Sequence, residues 1–182
     1  PGYNPFHVRS RIAAVSHSVV RKLREEVYEP IPPLGFSVAK PSGGERTVAA
    51  FQLADEAVSR RLLVSLSRKN EARLSSRAYG YRPSLTVHDA ISYISSEFRR
   101  SHRLFVAEFD FSKFFDTIQH SYIWAAIDRL GIIITPAEKR LVESFLSAPM
   151  PSVVGKPKDM ARRVEGLPQG TSISLFLANV VA

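Results

Sequence analysis

Apolar residues recur at three- and four-residue steps between His7 and Glu29, at Ile12, Val15, Val19, Leu23 and Val27, and this spacing predicts an amphipathic helix. Its other face carries Arg9, Arg11, Arg21, Lys22 and Arg24, either as a solvated face or as one that binds a phosphate backbone. Pro30, Pro32 and Pro33 are expected to end it. Residues 34–51 show two short β-prone runs around Pro-Ser-Gly-Gly-Glu, which predicts a hairpin. A helix is predicted from Leu53 to Lys69, with Asp55 and Glu56 in its first turn, and another from Thr86 to Phe98, where Val87, Ala90, Ile91 and Ile94 keep helical spacing. Between them lies a loop rich in Gly, Pro and aromatics. Leu104 to Phe109 is an apolar run that reads as a buried strand. Helices are predicted at His120–Leu130 and Pro136–Leu146, a loose hairpin over 150–165, and a final apolar helix after the turn "EGLPQGTSIS". That helix stops at "LFLANVVA" with neither cap nor polar exit, which predicts an N-terminal piece of a longer protein.

The elements mix short strands with helices, so the fold class expected is α+β. At 182 residues and 45% hydrophobic content, the chain can bury one sizeable core or two small ones. It has no internal repeat and no low-complexity linker. No apolar stretch reaches the roughly 18 residues of a membrane span, and no signal peptide opens the chain. With zero cysteines, thiolate and disulfide chemistry are excluded and a cytoplasmic location is the default. Charge changes the picture more. Residues 1–103 hold 17 Lys+Arg against 9 Asp+Glu, whereas 104–182 hold 8 against 8. All of the +8 surplus therefore lies in the first part. Such a field attracts a polyanion, nucleic acid being the commonest, although a basic surface kept for solubility is the alternative.

"FVAEFDFSKFFDTIQH", residues 105–120, carries the candidate chemistry. Asp110 ends the apolar run, where a carboxylate is costly unless a cation binds it. Two-metal phosphoryl transfer needs such carboxylates to hold Mg²⁺ ions roughly 4 Å apart. A strand-end cap or surface ion pair is the plainer account of a lone aspartate. Glu108 shares the face of Asp110 by period-two alternation, as a helper carboxylate or as a solvated or salt-bridged residue.

Four motifs follow one another in order: "AKPSGGER", "AYGYRPSLTVHDA", "FDFSKFFD" and "GLPQGTSIS". In this order, from about residue 30 to 182, the chain resembles bacterial reverse transcriptases of the group II intron, retron and antiviral defence-associated kinds. The resemblance implies right-hand fingers over 1–103 and the first part of a palm over 104–182, with helices around short β hairpins and a small antiparallel sheet. Asp110 matches the first catalytic aspartate, a ligand to both of two Mg²⁺ ions, with the Phe111 carbonyl beside it. Phe115 matches the aromatic gate that leaves no room for a ribose 2′-hydroxyl, whereas Phe114, of opposite parity, is assigned to the core. Asp116 is expected to be structural, capping the following turn. Lys40 and Arg46 match the basic pair that grips the triphosphate of a dNTP, on a loop that Gly-Gly makes mobile. Gln169 matches the residue lying against the nucleotide, with Gly170 letting backbone approach. Tyr79, Tyr81 and Arg82 fall in the template-side segment, where the tyrosines either stack on bases or pack. His88 is read as a helix-start histidine.

Two departures stand out. Ser84-Leu85 follow "YRP" where group II-type enzymes usually carry a basic residue, which puts template contact there in question. Leu175 stands for a frequent proline and points away from intron-encoded members. The Tyr-X-Asp-Asp motif of the family does not occur in these residues. The resemblance thus implies an RNA-directed DNA polymerase that extends a DNA primer on an RNA template when full length, the fragment alone being inactive. The rivals are a template-independent or protein-primed DNA polymerase of the defence type, and a non-catalytic RNA-binding module able to form homo-oligomers.

Overall fold

A computed structural model of the chain describes residues 5–39, 43–100, 103, 105–149, 152–153 and 162–182. The N-terminal amphipathic stretch forms two helices, α1 (Pro5–Ser10) and α2 (Ile12–Arg24), broken where Arg11 leaves helical geometry at φ −121°. α2 ends before the prolines reach it. Glu26 turns left-handed at φ 59°, and Glu26 and Val27 return their N–H groups to Leu23 and Lys22, a Schellman closure.

The hairpin forms as expected. β1 (Leu34–Ala39) and β2 (Glu45–Ala50) pair antiparallel from Leu34–Ala50 to Ala39–Glu45, with Gly43 and Gly44 at positive φ in the turn. β3 (Ser152–Val153) joins β1 in parallel, giving the order β2-β1-β3. The small sheet is therefore mixed and not purely antiparallel. Most of the hairpin expected over 150–165 lies outside the described residues; within it, β3 pairs with β1 and Glu165 bridges to Gln119.

Six more helices complete an α+β fold: α3 (Leu53–Asn70), α4 (Val87–Arg100), α5 (Phe114–Thr117), α6 (His120–Arg129), α7 (Pro136–Leu146) and α8 (Ser172–Val181). α7 starts at a capping box between Thr135 and Glu138, followed by Pro136 at the first helical position. The core gathers Leu62 and Leu66 of α3, Ile123 and Ile127 of α6, Phe145 of α7, and Phe176 of α8. Burying each contributes about 1.5–3 kcal/mol. Polar clamps fix the register: Ser59 Oγ accepts the Ile173 N–H at 2.9 Å, and Asn70 exchanges two hydrogen bonds with the Ile133 backbone. Lys69 pairs with Glu138 at 2.6 Å, joining α3 to α7. Tyr28 donates to Asp55 at 2.5 Å and ties the segment after α2 to the start of α3.

The strand expected from Leu104 to Phe109 does not form. Leu104 lies outside the described residues, and 105–111 is irregular and open to solvent, with Phe105 97% and Phe109 91% exposed. A β-strand needs a neighbour to take its N–H and C=O groups, and none of the described strands pairs with this segment. The apolar stripe of α4 is likewise left facing solvent at Val87, Ile91, Ile94 and Phe98. Among the described residues no helix is long and apolar enough to cross a membrane.

Candidate active site

Three segments distant in sequence meet at one place. Lys113, in left-handed geometry at φ 52°, starts α5 and accepts the N–H groups of Asp116 and Thr117 through its carbonyl. The chain at 165–171 lies directly against this turn. Gly166 donates its N–H to Ile118 at 2.7 Å, and Leu167 donates to the Phe115 carbonyl at 2.7 Å. Gly166 sits at φ 81°, where an L side chain is strained, and a Cβ there would lie 3.0 Å from the Asp116 carbonyl oxygen, so the turn would have to give way. His120 Nε2 is 3.0 Å from the Gly166 carbonyl, and Gln119 donates its side-chain N–H to Glu165.

The third segment is β2. Ala49 donates its N–H to the Gln169 carbonyl at 2.7 Å, and Gly170, at φ 117°, packs so close that a Cβ would stand 2.1 Å from the Ala49 carbonyl oxygen. Glycine is therefore required there both by geometry and by space. Ser174 closes the turn from α8 by donating to the Pro168 carbonyl. The predicted Gln169 and Gly170 thus sit beside Phe115, with β2 across from them.

The aromatics form a short stack. Phe111 lies on Phe114 with ring centres 5.2 Å apart, and Phe114 meets Phe115 edge-on at 5.6 Å. Phe114 and Phe115 are both half-buried against the core. The parity argument that separated them does not apply, because α5 is helical and successive side chains lie about 100° apart and not on opposite faces. Asp116 does not cap the next turn. It lies within α5, and its Oδ1 accepts the Gln169 side-chain N–H at 2.9 Å. Burial pulls the Arg163 guanidinium below its ordinary range, and the charge of Asp116 works the other way.

The remaining predicted residues lie apart from this cluster or outside the described residues. Lys40 lies outside them. Arg46 stands on β2 opposite Val38, and its side chain lies outside the described residues. Asp110 is exposed in the irregular segment, next to Phe111. Among the described residues no three His, Cys, Asp or Glu side chains gather where an ion could be held. The carboxylates among the described residues do not by themselves fit a two-Mg²⁺ centre.

Arg82 serves as a brace: its side chain is 7% exposed, and its guanidinium donates to the Ser75 and Glu71 carbonyls. Asn179 of α8 donates to the Gly80 carbonyl and holds the same loop. Tyr79 is half-buried, whereas Tyr81, at φ 57°, is 59% exposed. Tyr81, Arg82 and the α3 residues Arg60 and Arg68 line a groove of about 470 Å³. His88 is exposed in the first turn of α4, where Thr86 and Asp89 cap reciprocally. Hydrogen bonds from Thr86 hold the Asp89 carboxyl below its ordinary range.

Sequence reasoning missed the link between Asp116 and Gln169, the role of Gly166, and the docking of Ala49 on Gln169. Gly166 had a signal in "EGLPQG", since glycines flanking a short apolar turn mark close backbone approach. The other two carried none, being contacts between residues far apart in the chain.

The profile of the reverse transcriptase (RNA-dependent DNA polymerase) family matches residues 38–182. The chain is similar to Protein YkfC of Escherichia coli K12, 26% identical over 99% of this chain and 46% of that protein. It is also similar to the Putative COX1/OXI3 intron 1 protein of Saccharomyces cerevisiae, 25% identical over 80% of this chain and 16% of that protein. It therefore spans under half the length of either relative. With β2, α5 and the Pro-Gln-Gly turn all inside the matched stretch, the chain belongs to the reverse transcriptase family.

Proposed function

We propose that this chain forms the fingers and the first part of the palm of an RNA-directed DNA polymerase that adds dNTPs to a primer on an RNA template. The observation that carries this reading is the meeting of β2, α5 and the Gln169–Gly170 turn. On this reading Phe115 and Gln169, linked through Leu167 and Asp116, take the sugar of the incoming nucleotide near the base of the Gly-Gly hairpin. Arg46 stands three residues from Ala49 on the same strand, roughly 10 Å along it, and is assigned to the triphosphate. Lys40 is assigned to the same phosphates. Asp110 is the carboxylate this chain offers to a magnesium-dependent centre, and Phe111 the adjacent carbonyl.

The groove beside Tyr81 supports the nucleic-acid part of the reading. Arg60 and Arg68 stand eight residues apart on α3, roughly 12 Å along the axis. They share the groove with an exposed ring suited to stacking, in the part of the chain that holds all of the surplus positive charge. That charge also favours a second reading, RNA binding without catalysis.

Primer extension by the full-length natural protein, wild type and Asp110→Ala, tests both. On the polymerase reading Asp110→Ala lowers extension at least about a thousandfold, some 4 kcal/mol, with unchanged melting and RNA binding. Extension within tenfold of wild type overturns the role of Asp110. No extension by the wild-type protein, with RNA binding intact, favours the second reading.

A further inference from the structure

Asp116 plays no part in the reading so far, yet its carboxylate touches a residue at the centre of it. We infer that Asp116 is a positioning residue: it fixes the side-chain amide of Gln169 so that the carbonyl oxygen, Oε1, is the atom offered to a bound nucleotide. The inference rests on the proposed polymerase function for the identity of the ligand, and on geometry for everything else.

Gln169 is held at two points. Its backbone carbonyl accepts the Ala49 N–H at 2.7 Å, and its Nε2 donates to Asp116 Oδ1 at 2.9 Å. A glutamine amide offers a donor on one side and an acceptor on the other, and a free side chain samples both orientations. A carboxylate only accepts. Asp116 therefore takes the Nε2 side and leaves Oε1 turned away from it. The backbone that carries the carboxylate is held in place: the Asp116 N–H is bonded to the Lys113 carbonyl, and the carbonyl of its neighbour Phe115 accepts from Leu167, two residues before Gln169. Phe115, Asp116 and Gln169 are thus joined by hydrogen bonds at both the backbone and the side-chain level.

Two consequences follow for the ligand. The group that meets Gln169 must be a donor, an O–H or N–H on the nucleotide. The side chain also reaches that group already ordered, so binding need not supply the ordering cost of a free glutamine. Losing Asp116 should therefore act on binding far more than on the chemical step.

Steady-state kinetics on the full-length protein, with melting temperatures as a control, test this. Asp116→Ala should raise the KM for dNTP about five- to tenfold, with kcat within twofold. Asp116→Asn keeps a carbonyl acceptor in the same place and should restore KM to within about threefold of wild type. In a Gln169→Ala background, Asp116→Ala should have no further effect, because it acts through Gln169. An unchanged KM in Asp116→Ala overturns the inference. So does an equal effect of Asp116→Ala with and without Gln169, or an Asp116→Asn as weak as Asp116→Ala. If the wild-type protein extends no primer, the polymerase reading fails on its own. The NMR signal of the Gln169 side-chain amide, assigned by Gln169→Ala, then decides the positioning. Its displacement in Asp116→Ala supports the link, and an unmoved signal overturns it.

Discussion

Replacing Gly170 by alanine tests the packing that joins β2 to the Pro-Gln-Gly turn. At φ 117° an L side chain is strained, a term of about 1–3 kcal/mol. The new Cβ would stand 2.1 Å from the Ala49 carbonyl oxygen, which is backbone and cannot swing aside. Relief requires β2 and the turn to separate, which stretches the 2.7 Å hydrogen bond from Ala49 to Gln169 and loses a further 0.5–1.5 kcal/mol or so. The expected loss is about 2–4 kcal/mol, or roughly 5–15 °C in melting temperature for a chain of this size. Gly43→Ala is the matched control. It too has positive φ, at 87°, but nothing lies within 4 Å of its Cβ, so it should cost only the conformational term. Thermal unfolding followed by circular dichroism compares the two. If Gly170→Ala melts no lower than Gly43→Ala, the close packing of the turn on β2 is refuted, and with it the route by which Gln169 is held to the hairpin.

Glu138 should govern part of the acid response. Burial works against its charge, but Lys69 and hydrogen bonds from Thr135 and Ser65 outweigh this and hold its carboxyl at about 2, against 4.5 unperturbed. With the folded value depressed, its contribution is fully present above pH 4.5 and is lost as pH falls towards 2; screened by solvent, it amounts to about 1–2 kcal/mol. Urea unfolding across that window should show Glu138→Gln less stable at neutral pH and less sensitive to acid, and parallel curves for the two proteins would refute this. Phe115→Val should raise use of rNTP relative to dNTP at least about tenfold in single-nucleotide extension, whereas Phe114→Val, which removes the ring between Phe111 and Phe115, should chiefly lower the melting temperature; the reverse pattern would exchange their roles. Arg60→Ala with Arg68→Ala should weaken binding of single-stranded RNA and reduce its salt slope by about 0.7 for each phosphate no longer neutralised, and an unchanged slope would remove the groove from the interface.

Helices were legible where the pattern is local. α3, α6 and α7 fall within a residue of their predicted bounds, because apolar spacing, first-turn acids and the Thr135 cap all act within a few positions. The hairpin was legible for the same reason, two β-prone runs around Gly43 and Gly44. The strand at 104–109 was not, since apolar composition says only that a segment would gain from burial, and a strand also needs a partner ladder. The parity used to separate Phe114 from Phe115 does not hold, because it assumes a strand in what is a turn of helix. At the site, the motifs around Phe115 and Gln169 were legible one by one, through resemblance. Their joining was not: Asp116 and Gln169 are 53 residues apart, and no periodicity connects them.

The exposed segment at 105–111 sets a carboxylate, Asp110, among rings that would gain from burial. Asp110 stands between Phe109 and Phe111, two rings that face water here, and beyond them Phe105 and Val106 do the same. Any element that pairs with this stretch would bury rings worth about 1.5–3 kcal/mol each, a strong incentive to cover it. In an extended strand Asp110 would point to the face opposite Phe109 and Phe111, so a cover over the rings leaves its carboxylate free to meet water or a cation on the other side. Phe111 is the contact between this segment and the site, because its ring stacks on Phe114, which meets Phe115 edge-on.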